Sequence, residues 1–259
     1  MQNNKWYALE DTQNILSPSL LIYPERIEQN IRTMISMAGG TKNLRPHIKT
    51  YKTAEIIKMQ LALGIRKFKC ATIAEAELLA ICGAADILLA MQPIGANMGR
   101  FFTLMETYRD SKFSALVDDQ TVLDAFIENA KSRKTKISLW MDINNGMNRT
   151  GIAPNTEAFN LFKSMASNPE IEAKGLHVYD GHIRSPNHTE RKKNCDEAFK
   201  AVLDLKTKIE TEGFSMVIIA GGSPSFQFHA IREGVETSPG TTLLWDAGYG
   251  GLFPELDFL

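Results

Sequence analysis

Five stretches of this chain carry chemically capable side chains, four of them at the ends of short apolar runs. The first is Arg45-Pro46-His47-Ile48-Lys49. In an extended segment side chains alternate sides, so Arg45, His47 and Lys49 share one face and Pro46 and Ile48 the other. Burial and neighbouring positive charge both lower a lysine pKa, and the neutral amine that results attacks carbonyls. The same pattern fits a lysine at a solvent-exposed strand end, held in a salt bridge. The second stretch, Gly146-Met147-Asn148-Arg149-Thr150-Gly151, brackets an arginine with glycines just past an apolar run. Glycine lets a backbone approach a ligand closely, and arginine offers a planar fork to an oxyanion. A plain turn with a surface arginine fits equally.

The third stretch is Gly175-Leu176-His177-Val178-Tyr179-Asp180-Gly181-His182. His177 and Tyr179 fall on one face, where two polar rings suit a flat aromatic cofactor, one beside and one beneath it. His182 follows in the loop, as a proton carrier or as a merely exposed side chain. The fourth and fifth are Gly221-Gly222-Ser223-Pro224-Ser225 and Ser238-Pro239-Gly240-Thr241. Backbone N–H groups freed by glycine, a serine hydroxyl and a following short helix suit a phosphate. The Walker, H-E-x-x-H and G-x-S-x-G patterns do not occur.

These residues need a frame. Eight runs read as strand candidates: 19–23, 44–50, 68–73, 86–91, 113–119, 137–144, 173–181 and 216–222. Helical patterns follow them, including a long one over 188–212. Near-continuous apolar strands alternating with helices predict a parallel sheet covered on its outside, here an α/β fold of the (β/α)8 TIM-barrel type. A doubly wound open sheet is the alternative. A barrel of roughly 250 residues is one domain, which accommodates the 259 residues here. Barrel enzymes keep their chemistry at the C-terminal ends of strands, where the first four stretches lie; the fifth is a second small-residue loop able to close over the same anion.

Lys+Arg 29 against Asp+Glu 30 gives a net charge of −1, so no basic excess points to nucleic acid or an anionic membrane surface as partner. Three cysteines with no C-x-x-C speak against a disulfide framework, and no apolar run is long enough to span a bilayer. The expectation is a soluble cytoplasmic protein. The apolar, aromatic ending TTLLWDAGYGGLFPELDFL reads as an entry into further chain.

In order along the chain, RPHIKTYK, FKCATIAEAE, DILLAMQP, GMNRTG, GLHVYDGH, GGSPSF and SPGT with WDAGY resemble the D-threonine aldolase and D-serine dehydratase family, which has the alanine racemase N-terminal-domain type of barrel. The resemblance implies that Lys49 holds pyridoxal 5'-phosphate as a Schiff base. It implies that Arg149 lies near the ring oxygen, that Tyr179 lies near the pyridine nitrogen, and that Gly222, Ser223, Gly240 and Thr241 hold the phosphate. It implies a barrel over 17–240, with 1–16 joining a β domain that begins at 241–259 and is truncated here. That β domain would carry the ligands of a divalent metal, Mn or Zn, and none of those ligands is found in this chain. Family members often have histidine where this chain has Tyr51.

The activity implied is a lyase acting on D-3-hydroxy amino acids. Its leading form is retro-aldol cleavage of D-threonine-like substrates to glycine and an aldehyde, with His182 as a candidate base for the hydroxyl proton. D-serine dehydration, racemisation and a non-catalytic role in handling the cofactor are the alternatives. A homodimer acting on a small-molecule D-amino acid is the expected assembly.

Overall fold

The computed structural model describes residues 6–259. Strands and helices alternate as the apolar pattern requires. Helix α1 (Pro24–Met37) and helix α2 (Ala54–Ala62) lead into strand β1 (Lys67–Cys70). There follow α3 (Ile73–Ile81), β2 (Asp86–Leu89), α4 (Ala96–Thr107), β3 (Lys112–Val117), α5 (Gln120–Arg133), β4 (Ile137–Ile143), α6 (Thr156–Ala166) and β5 (Ile171–Val178). The chain then forms α7 (His188–Thr211), β6 (Val217–Ala220), α8 (Phe226–Ala230), β7 (Val235–Thr237) and α9 (Ala247–Leu252). Polar caps mark the helix starts. Thr72, Asp119, Asn155 and Asn187 each accept a first-turn backbone N–H, which satisfies donors that have no partner inside the helix.

The strands form one parallel sheet in the order β1 to β7, each paired with its neighbours in sequence. Alternation divides their side chains. Phe68, Cys70, Ile87, Leu89, Leu139 and Ile218 face the helices and join the main core. Leu88, Leu116, Trp140 and Ile219 face the other way and form a small core inside the curve of the sheet. Lys69, Asp142 and His177 share that inner side: Lys69 is in register with Leu88, and His177 lies between Asp142 and Ile219. Gly175 lets β5 and β6 meet there, since a Cβ at its φ of +145° would lie 1.9 Å from the Val217 carbonyl oxygen.

The closed (β/α)8 barrel expected from the sequence is corrected to an open parallel α/β half-barrel of seven strands among the described residues. Residues 19–23 form no strand: Leu20 and Ile22 are exposed, and the segment makes no bridge to the sheet. Residues 44–50 do not form a regular strand either. They make single parallel bridges, Leu44 to Thr237 of β7 and His47 to Lys69 of β1, and so bring one segment against both edge strands. The chain then turns into a 3-10 helix over Ile48–Thr50. Lys49 is therefore presented by this turn, whereas Arg45 and His47 lie in a run, 44–48, that is buried throughout. β7 escaped the sequence reading because a three-residue Val-Glu-Thr strand is too short to display a period.

The N-terminal segment 1–16 lies partly outside the described residues. Residues 241–259 carry no strand. They fold back on the α/β body, burying Phe253, Leu256 and Phe258 in the main core, while Asn30 exchanges two hydrogen bonds with Leu259. Among the described residues no helix is long and apolar enough to cross a membrane.

Candidate active site

The C-terminal ends of the strands gather the side chains singled out from the sequence. Tyr179, just past β5, lies among three cations. Lys49 Nζ is 5.9 Å from its ring centroid, Lys69 Nζ 5.7 Å, and the Arg149 guanidinium carbon 5.1 Å. Lys49 and Arg149 are exposed, while Lys69 is only 2% exposed. Partial burial and the nearby Arg149 charge push the Lys49 amine below the ordinary lysine range, against an opposing pull from Glu75. Burial followed by the Lys49 charge brings Lys69 down to about 7.

Beneath Tyr179, His177 is anchored on both sides. Its Nδ1 lies 2.7 Å from Asp142 Oδ1 and its Nε2 3.4 Å from Lys69 Nζ. The arrangement fits one tautomer, in which Nδ1–H donates to the carboxylate and Nε2 accepts from the lysine. Burial and the Lys69 charge lower the His177 pKa, so the ring is neutral and can accept. His47, held by its backbone N–H to the Pro239 carbonyl, accepts the Lys49 backbone N–H on Nδ1 and so shapes the turn that carries Lys49.

The two glycine loops meet beside that turn. Ser223 Oγ, nearly buried, accepts backbone N–H groups from both Gly240 at 3.2 Å and Thr241 at 2.9 Å. Two amide donors and a hydroxyl thus converge at one point. The Thr50 and Thr241 hydroxyls, 3.5 Å apart, link that point to the Lys49 turn. Gly240 has no room for a side chain, since a Cβ would sit 3.1 Å from His47. Gly222 is at the same loop, but its N–H goes to Ser225 Oγ at 3.1 Å. Its missing Cβ makes room for the Tyr179 ring, 3.1 Å away. His182 is exposed and rests on Gly146, whose φ of +122° and missing Cβ admit the imidazole.

Tyr51 belongs to the packing beneath the site. It is buried, and its hydroxyl accepts from Gln60 Nε2 at 2.5 Å, so burial raises its pKa and leaves it protonated.

Among the described residues, Asp180, Cys195 and His229 form a buried group with metal-ligand chemistry. His229 Nε2 lies 2.8 Å from Asp180 Oδ2 and 3.2 Å from Cys195 Sγ, and Ser225 Oγ donates to Asp180 Oδ1 at 2.6 Å. A metal-bound imidazole keeps its proton on the other nitrogen and needs an acceptor there. His229 Nδ1 is buried with no hydrogen-bond partner, so the geometry fits Nε2–H donating to Asp180. Burial alone would raise the Asp180 carboxyl, but the His229 and Ser225 hydrogen bonds outweigh it and hold the group ionised. The cluster works as a latch: through Ser225 it fixes the Gly222 loop against α7 and α8.

The sequence reading did not single out Lys69, Asp142, Asp180 or His229. Lys69 was legible in principle, because alternation in Lys-Phe-Lys-Cys places it opposite the core-facing Phe68 and Cys70. A cavity of about 680 Å³ opens at the other end of the sheet, lined by strand-start residues such as Asp86, Lys112 and Ser138 and remote from Lys49.

Comparison with known proteins accords with this geometry. The chain belongs to the alanine racemase, N-terminal domain family, whose model matches residues 22–246. It is 26% identical over 249 residues to a 3-hydroxy-D-aspartate aldolase of Paracoccus denitrificans (strain Pd 1222), covering 93% of this chain and 63% of that protein. It is 27% identical over 239 residues to a D-threonine aldolase of Arthrobacter sp, covering 90% of this chain and 62% of that one. The crystal structure of D-threonine aldolase from Filomicrobium marinum superposes with a TM-score of 0.83 at 26% identity, over 91% of this chain and 64% of that chain. The resemblance to the D-threonine aldolase and D-serine dehydratase family is thus borne out. The chain spans a little under two thirds of the length of these relatives.

Proposed function

We propose that this chain is the pyridoxal 5'-phosphate-binding part of a lyase for D-3-hydroxy amino acids, cleaving D-threonine-like substrates to glycine and an aldehyde. One juxtaposition carries the reading: an amine with a lowered pKa on the Lys49 turn, tied through Thr50 and Thr241 to the point where the Ser223 hydroxyl and two backbone amides converge. A phosphorylated aldehyde requires those two features side by side. Lys49 would hold the aldehyde carbon, and Ser223, Gly240 and Thr241 on the Gly222 loop would hold the phosphate. When bound, the cofactor supplies the electron sink, and the protein decides which bond breaks.

The chain's own side chains do the rest. Tyr179 and His177 line the ring position from β5, and Arg149 closes over Tyr179 from the loop after β4. His182, exposed beside Gly146, would take a proton from a substrate hydroxyl arriving from solvent. The divalent metal, Mn or Zn, would draw its ligands from outside these residues, and a cytoplasmic homodimer is the proposed working form.

The test is product analysis of protein reconstituted with pyridoxal 5'-phosphate and Mn²⁺ and supplied with D-threonine. Glycine and acetaldehyde in equal amounts support the aldolase reading. Pyruvate and ammonia from D-serine, with no aldehyde from D-threonine, would replace it with a dehydratase. Retained cofactor with no turnover of any D-amino acid would leave a cofactor-handling protein.

A further inference from the structure

Lys69 has no part in the function proposed so far, yet it is the most deeply buried amine of the site. It projects from β1 on the inner side of the sheet, beside His47 through their bridge and below Tyr179. Among the described residues no carboxylate forms an ion pair with it; Asp142 and Asp180 act on it only from a distance. Its Nζ donates to His177 Nε2, and Asp142 holds the far side of that imidazole. A buried lysine normally acquires an acid or is replaced by an apolar residue, because an uncompensated ammonium is costly. A lysine kept here, aimed at a neutral imidazole and sharing the Tyr179 ring with Lys49, is arranged to change its charge.

We propose that Lys69 is the acid–base partner of Lys49, a second amine that gains a proton when Lys49 gives one up. This rests on the assignment of Lys49 as the carbonyl-binding amine. The proton balance is simple. The Lys49 ammonium loses one proton to become a nucleophile, and the neutral Lys69 amine takes one up; no other bond changes. Deprotonation of Lys49 removes its positive charge, and the lost repulsion lets Lys69 hold a proton.

Lys69 suits this task because its pKa of about 7 lies where a proton carrier works in both directions near neutrality. The groups facing it set that value. Burial lowers it most, followed by the Lys49 charge; Asp142 and Asp180 raise it, and Arg45 lowers it. His47 and His177 are themselves pushed down by burial and by Lys69, so neither imidazole competes for the proton. Arg149 acts on the Lys49 and His177 side of the pocket.

The experiment is lysine 13Cε NMR titration of the cofactor-free chain. One lysine should titrate near neutral pH and vanish from the spectrum in Lys69→Met. Lys49→Met should move that titration up by about one pH unit, and Asp142→Asn should move it down, opposite shifts that a purely structural lysine would not show. No lysine titrating below about pH 9, or a Lys69 signal indifferent to Lys49→Met, overturns the proposal. A second measurement uses pyridoxal 5'-phosphate with borohydride trapping and peptide mapping. The expected adduct is on Lys49 in both wild type and Lys69→Met, with capture by the variant losing its transition near neutrality. An adduct on Lys69 overturns the partner role, because Lys69 would then be the anchor itself. Wild-type protein that traps no cofactor on either lysine sinks the Lys49 assignment, while the NMR result still decides the charge coupling.

Discussion

The segment 44–50 and strand β1 run side by side from one end of the sheet to the other, and their two ends treat charge in opposite ways. At the lower end, Arg45 lies between Asp86, at 2.6 Å, and Glu236, at 2.9 Å, and Lys67 also pairs with Glu236. Two cations meet two carboxylates, so these four charges balance one another. At the upper end Lys49, Lys69 and Arg149 surround Tyr179, and the carboxylates that act on the two lysines are bonded elsewhere: Asp142 to His177, Asp180 to His229 and Ser225, and Glu75 to the Ala71 backbone N–H. A buried charge balanced locally serves the fold, whereas cations left in excess favour an incoming anion. The lower end satisfies itself, whereas the upper end would accept an anion such as a phosphate or a substrate carboxylate.

Lys49→Ala is the strongest way to break this contrast. It should abolish the visible absorbance of lysine-bound cofactor altogether, with the far-UV circular dichroism unchanged. Undiminished absorbance would mean that another lysine is the anchor. Arg45→Met attacks the other end. It leaves Asp86 and Glu236 facing each other with only Lys67 between them, and should destabilise the fold by about 3 kcal/mol in urea unfolding. Cofactor capture by the folded fraction should not change. A loss of capture without a loss of stability would show that the two ends are not separate devices.

Lys69→Met sharpens the contrast through pH. The folded pKa of Lys69, about 7, lies below the ordinary lysine value. Between those two values the unfolded chain holds a proton that the folded chain does not, so stability rises with pH across that window. The penalty is fully present below pH 7 and fades as the pH approaches the unfolded value of roughly 10.4. The variant removes it and should be more stable than wild type by on the order of 2–4 kcal/mol at neutral pH, with the gap closing towards about pH 10. Urea midpoints measured across that range decide it, and a pH-independent difference would mean that Lys69 is already neutral or already paired throughout.

How much of this was legible beforehand follows from the length of each signal. Strands of four or more residues followed by capped helices announced themselves, as in Ile137–Ile143 and the Asn155-capped helix after it. Lys49, Tyr179, Arg149 and the Ser223 and Gly240 loops stand in runs whose order is informative, and they gather at one end. Three things were hidden. β7 is too short to carry a period. Leu20 and Ile22 carry strand propensity, but propensity without a bridge to the sheet makes no strand. Lys69 sits in an apolar run, where a lysine reads as a strand end, and its distance of 108 residues along the chain from His177 conceals the contact that gives it meaning.

The smallest expected effect separates the upper end's exposed cation from its buried one. Arg149 reaches Tyr179 from a loop in which Asn148 adopts a φ of +54°, and Asn144 steadies that loop by accepting the backbone N–H groups of Gly146 and Asn148. The guanidinium is solvent-exposed, so its attraction for a bound anion is screened by water and salt. Arg149→Ala should therefore speed cofactor loss in dialysis only about tenfold, and less as salt is raised, because a hydrogen bond to a charged group contributes roughly 1–2 kcal/mol. The effect of Lys69→Met should persist in high salt, because Lys69 is shielded by protein. If salt erased both effects equally, the distinction between a screened rim and a desolvated interior would be wrong for this pocket.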